Sequence, residues 1–133
     1  MKALDWLLRI AAAAILLQTL FFKFTGAPES VHIFETMGIE PWGRYASGIA
    51  ELVAAVLLLL PRTVAVGAAM GAGIMVGAIG SHLTKLGIVV QDDGGTLFAL
   101  AVVVFVACCV SLWLHRRELP VVGAVFDEPP AEG

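Results

Sequence analysis

Four long apolar segments dominate the pattern of hydrophobic and polar positions along the chain. They cover residues 4–24, 42–60, 63–84 and 94–114, and most charged residues stand near their ends. A helix needs about 20 mainly apolar residues to cross a bilayer, and in lipid a helix satisfies its own backbone hydrogen bonds. The pattern therefore predicts an all-α fold, an antiparallel bundle of four transmembrane helices joined by short loops.

Composition narrows the class of protein further. The chain has 133 residues, of which 59% are hydrophobic and 14% are charged, whereas soluble domains are about 45–50% apolar and about 25% charged. The net charge of −3 offers no basic surface for nucleic acid. These values exclude a soluble enzyme, a nucleic-acid-binding protein and a disulfide framework, and they predict a protein that resides in a lipid bilayer.

The first loop between spans carries a helical pattern of its own. Pro28 is typical of a helix start, and Val31, Phe34 and Met37 share one apolar face before Gly38. We expect a short helix that either lies in the membrane interface or folds back over the mouth of the bundle.

The distribution of Lys and Arg favours both termini on the cytoplasmic side of the cell (inner) membrane, by five residues to three. Asp92 and Asp93 then belong to an outer loop. The first span has some features of a signal peptide, but Pro28 would obstruct cleavage, so we expect a retained helix. Residues 1–117 form the predicted membrane domain, and the acidic, proline-containing tail 118–133 is expected to be flexible.

Small residues recur every four positions in the third span, from Ala65 to Ser81, and include Gly73 and Gly77. Such stripes allow close helix contact in lipid, so we assign these glycines a structural role, within the bundle or in a homo-oligomer. A ligand groove is the alternative. Cys108 and Cys109 are adjacent and form no C-x-x-C pair, which indicates two small buried packing residues.

Polar side chains converge in the outer half of the predicted bundle. Successive spans run in opposite directions and rise about 1.5 Å per residue, which gives the depth of each side chain. Polar groups inside a membrane usually mark function. The predicted ligand-binding residues are Gln18, Lys23, Ser47, Glu51 and His82, with His32 on the loop helix above them.

Glu51 is the most informative of these residues. An unpaired carboxylate at its depth costs several kcal/mol, so it must be paired with Lys23, hydrated, protonated or part of a ligand site. Simpler interpretations exist for its neighbours: Lys23 can extend to the headgroups, His82 can cap the third span, and Gln18 can bond a neighbouring helix. If the protein is an enzyme, which the sequence leaves open, Glu51 and His82 are the candidate catalytic residues.

Arg9 lies toward the opposite face of the membrane. Its spacing from Asp5 favours an i, i+4 ion pair and a structural role. The three histidines lie on different segments without a ligand spacing, so we expect no metal site.

Several segments resemble the DoxX and DoxX-like family of small bacterial membrane proteins, over about residues 5–118. They are FFKFTGAPESV, SGIAELVAAVLLLLP, GSHLTKLGI and DGGTLFALAVVVF, together with the early arginine. The resemblance implies a four-helix membrane fold and a redox association, since relatives include a subunit of a thiosulfate–quinone oxidoreductase and a partner in an oxidative-stress complex. The positions that match the family's polar pattern are Arg9, Lys23, Gly48, Glu51 and His82.

Together these features predict an accessory membrane subunit that binds a small amphipathic molecule, with quinone as the candidate. Since the sequence contains no motif for an intrinsic cofactor, a redox partner protein would supply electrons. Two alternatives stay open at this point. One is an intramembrane isomerase or hydrolase that acts on a lipid-soluble substrate, and the other is a scaffold that docks partner proteins.

Overall fold

The structure is a computed structural model that describes residues 2–89 and 94–119. Four helices are long and apolar enough to cross a membrane. In chain order the helices are α1 (Lys2–Thr25), α2 (Pro28–Thr36), α3 (Trp42–Leu59), α4 (Val64–Ser81) and α5 (Thr96–Leu114). A π-helical turn, His82–Leu86, extends α4, and a short 3-10 turn, Arg116–Glu118, follows α5. The predicted all-α fold, with four spans and a short helix in the first loop, is confirmed.

Local sequence explains where these helices begin and end. Pro28 occupies the first turn of α2, where no intrahelical N–H is needed. Leu60 takes an extended conformation with ψ 144° because Pro61 disfavours the helical region for the residue before it, and α3 ends there. Asp92, Asp93 and the predicted tail beyond residue 119 lie outside the described residues.

The four long helices form a bundle in which α1 and α4 are diagonally opposite. The most extensive contacts join each of these two helices to α3 and α5. Small side chains predominate in the core and let the helices approach closely. The core includes Ala12, Ala13 and Leu16 of α1, Ala54, Ala55 and Leu58 of α3, Val64 and Ala68 of α4, and Val104, Ala107 and Cys108 of α5.

The glycines of α4 divide into two groups. A β-carbon at Gly67 would lie 2.7 Å from the Leu58 backbone nitrogen, so this glycine permits close packing of α4 on α3. By contrast, a β-carbon at Gly73 or Gly77 would meet no atom within 4 Å. Within the bundle, Gly73 and Gly77 therefore line a cavity instead of contacting a neighbouring helix, and their role in a homo-oligomer stays a prediction.

The two cysteines are both free, and they face different ways. Cys108 is buried, and its Sγ would lie 2.7 Å from a β-carbon placed at Gly71. Cys109 is exposed. The expectation that both are buried is wrong because consecutive helical residues point about 100° apart, so only one of them can face α4.

Candidate functional site

A cavity of about 470 Å³ opens within the bundle, at the end where α1 and α4 finish and α3 and α5 begin. Most of its wall is apolar and comes from all four long helices. Helix α2 contributes Ile33 and Phe34, followed by Met37, to this wall. The short loop helix therefore folds back against the mouth of the bundle, which was one of the two placements expected for it.

An ion pair between α1 and α3 forms part of the cavity wall. The Lys23 ammonium donates to Oε1 of Glu51. The Glu51 side chain is 2% exposed and the Lys23 side chain 15% exposed. Lys23 follows the buried stripe of α1, Arg9–Ala13–Leu16–Leu20, by three residues. Glu51 lies within the buried stripe of α3, Gly48–Glu51–Ala55–Leu58.

The second oxygen of Glu51 lies 3.1 Å from the hydroxyl of Thr19, which can also donate to the Leu16 carbonyl at 2.9 Å. Thr19 lines the cavity, whereas Gln18 is exposed and does not line it. Gln18 and Thr19 lie at nearly the same depth in the membrane, so depth does not tell which of them faces the cavity, whereas their angular position around the helix does. Thr19 precedes Lys23 by four residues and so shares its face, whereas Gln18 precedes it by five.

His82 lies on the opposite side of the cavity from α1, at the start of the π-helical turn. Its side chain is buried, and its Nδ1 lies 2.9 Å from the Gly87 carbonyl oxygen. The ring packs edge-to-face on Phe98 of α5 with 5.6 Å between ring centroids. His82 is therefore held by contacts on two sides while it lines the cavity.

Two further predicted site residues differ in their placement. Ser47 of α3 is half-buried and lines the cavity. His32 of α2 is exposed and does not line it. The structure thus gathers Lys23, Ser47 and Glu51 around one cavity together with His82, and leaves Gln18 and His32 outside.

Arg44 was missed by sequence reasoning, although it is buried at the same end of the bundle. Its Nε donates to Glu40 Oε1 at 2.9 Å, and its Nη1 donates to the Lys23 carbonyl. Arg44 thereby ties the beginning of α3 to the end of α1, which supports the helix that carries Lys23. The i, i+4 spacing of Glu40 and Arg44 was the available signal.

A second polar cluster lies at the other end of the bundle and surrounds Arg9, which is 3% exposed. Its Nε donates to the Leu58 carbonyl at 2.6 Å, and its Nη1 lies 3.5 Å from Asp5. His115, just after α5, also contacts Asp5, at 2.9 Å, and it contacts Glu118 through its other nitrogen. Arg9 therefore joins α1 to the end of α3. Its contact with Asp5 agrees with the predicted i, i+4 pair.

Burial by itself lowers the pKa of His115. Hydrogen bonds to Glu118 and Asp5, and the attraction of both carboxylates, outweigh that effect and raise the pKa of His115 above its ordinary value. Both ring nitrogens can donate at once only in the imidazolium form. The cluster is therefore most tightly bonded when His115 is protonated.

Comparison with known proteins gives a family match. The sequence profile of the DoxX-like family matches residues 7–111, which is most of the chain and includes all four long helices in whole or in large part. Searches of curated proteins and of solved structures gave no match.

Proposed function

The chain belongs to the DoxX-like family of membrane proteins, and on this basis we propose that it is a membrane subunit that binds a small amphipathic molecule in the cavity beside Lys23 and Glu51. Quinone is the candidate ligand, and a separate redox protein is the candidate electron donor or acceptor.

The observation that carries this proposal is an ion pair on the wall of an apolar cavity. Sites for small molecules are typically clefts of about 300–1,000 Å³ with apolar walls and a few placed polar groups. The cavity, at about 470 Å³, has that size and that composition. A purely structural ion pair would need no such space beside it.

The ion pair has capacity left for a ligand. An ammonium group carries three N–H donors, and within the described residues Lys23 directs a hydrogen bond only to Glu51. Its remaining donors can bond a ligand oxygen, while Glu51 keeps the ammonium in place and Thr19 keeps Glu51 in place. The apolar wall would receive the ring and the first part of a hydrocarbon tail.

Binding can be measured through the fluorescence of Trp42, which lines the cavity. Trp6 and Trp113 do not line it, so a variant with Trp6→Phe and Trp113→Phe leaves one reporter. A short-tailed benzoquinone, titrated into this variant in mild detergent, should quench the fluorescence of Trp42 saturably. Glu51→Gln should weaken the affinity about tenfold or more, because it removes the counter-charge that positions Lys23.

Glu35→Gln is the matched control, because Glu35 is an exposed residue of α2 and does not line the cavity. It should leave the affinity unchanged. Linear quenching without saturation, or equal affinities in Glu51→Gln and Glu35→Gln, would overturn the proposed site. A scaffold that docks partner proteins would then be the better hypothesis for the function of this chain.

A further inference from the structure

The backbone partner of His82 fixes the role of its Nδ1 atom. Nδ1 lies 2.9 Å from the Gly87 carbonyl oxygen, and a carbonyl oxygen only accepts. Nδ1 must therefore carry the hydrogen, and in the neutral imidazole Nε2 then presents a lone pair and no hydrogen. Gly87 ends the π-helical turn with φ +77°, a conformation that side chains disfavour, and this turn brings its carbonyl to His82.

Nε2 of His82 has no hydrogen-bond partner among residues 2–89 and 94–119. The nearest polar neighbour in sequence, Ser81, donates its hydroxyl to the Gly77 carbonyl at 2.8 Å. His82 itself is 5% exposed and lines the cavity. An accessible acceptor without a protein partner, in a cavity whose wall is mostly apolar, is available to a ligand group that donates a hydrogen bond.

The walls of the cavity thus differ in hydrogen-bond character. Lys23, on α1, offers donors, and His82, at the end of the diagonally opposite α4, offers an acceptor. From this difference, and resting on the function proposed above, we propose that His82 selects ligands that carry a hydroxyl group, which donates to Nε2. For a quinone-type ligand, the reduced quinol is bound in preference to the quinone, since a quinone carbonyl has only lone pairs to present to Nε2.

A pair of probes in which this hydrogen is present or is replaced by a methyl group tests the inference without any redox chemistry. The probes are 4-octylphenol and its methyl ether, titrated into the full chain with Trp42 as the single tryptophan. The phenol should bind about tenfold more tightly than the ether, as expected for one hydrogen bond to an otherwise unpaired acceptor.

Two variants of His82 assign the preference to its side chain. His82→Phe keeps an aromatic ring against Phe98 but removes the acceptor, so the two probes should bind with a ratio near one. His82→Gln retains a polar side chain that can either donate or accept, and it should also bring the ratio near one while both probes still bind. His32→Phe, at an exposed histidine outside the cavity, should preserve the tenfold preference.

The outcomes separate this inference from the function on which it rests. Equal binding of phenol and ether to the native chain overturns the hydroxyl preference and leaves the cavity as a binding site. A preference that persists in both His82 variants overturns the role of His82. If neither probe binds while the benzoquinone does, the cavity function stands and the hydroxyl preference falls. If no compound binds, both proposals fall.

Discussion

The two ends of α1 each carry a cation, Arg9 buried and Lys23 half-buried, and the two cations differ in what they contact. Arg9 donates to the backbone of α3 and pairs with Asp5 of its own helix. Lys23 pairs with a carboxylate of α3 on the wall of a cavity. One cation therefore closes a packed end of the bundle, while the other stands beside open space.

The glycines of α4 repeat this contrast. Gly67, near the packed end, permits backbone contact with α3, whereas Gly77, near the cavity, faces empty space. Residue type therefore does not reveal role in this bundle. A cation or a glycine is structural where the helices meet, and it is available to a ligand where they leave a cavity between them.

The largest effect should come from removing the cation at the packed end. Arg9→Met leaves the Leu58 carbonyl without its charged donor and leaves Asp5 with His115 as its remaining partner, which should lower the free energy of unfolding by about 3 kcal/mol. The double variant Lys23→Met with Glu51→Gln removes both charges of the other pair, so that no uncompensated carboxylate is left, and it should lower the free energy of unfolding by about 1 kcal/mol. Unfolding titrations with SDS in mixed micelles measure both values. Equal losses would abolish the distinction between the two ends.

A smaller effect should separate the glycines. Gly67→Ala places a β-carbon 2.7 Å from the Leu58 nitrogen, and the required backbone shift should lower the free energy of unfolding by about 2 kcal/mol. Gly77→Ala meets no atom within 4 Å, and it should be neutral or stabilising by about 0.5 kcal/mol because alanine favours the helix. The same SDS titrations apply, and a destabilised Gly77→Ala would show that α4 is packed along its whole length.

The smallest effect concerns pH at the packed end. The folded-state pKa of His115 is raised, so its stabilisation is fully present below the unfolded value of about 6.5. It is then lost as the pH rises through the higher folded value. We expect His115→Gln to be less stable than the native chain at pH 6. The difference should be only about 0.5 kcal/mol, because His115 and its partners Asp5 and Glu118 are partly exposed.

This difference should shrink as the pH rises above 6.5, as followed by thermal unfolding in detergent. His32→Gln, at an exposed residue of α2, should show no such trend. A difference between native chain and His115→Gln that stays constant with pH would mean that His115 acts through packing instead of charge.

Parts of the site followed from the sequence because they depend on depth alone. Lys23 and Glu51 lie in the same outer half of the bundle on antiparallel spans, and the structure joins them. Gln18 and Thr19 lie at nearly the same depth, and only the phase of the helix decides that Thr19, not Gln18, lines the cavity. Arg44 was missed because its role depends on the Lys23 carbonyl, a contact between residues far apart in the chain.

The sequence by itself determined the four spans, the short loop helix and the family, because span length, hydropathy and motif order are properties of the chain. Tertiary structure alone decided which glycines touch a neighbour, which cysteine is buried and where the cavity lies. It also decided which nitrogen of His82 bonds the Gly87 carbonyl. These features depend on the orientation of each helix about its own axis and on the distances between helices. Both are set by packing between segments that are distant in sequence.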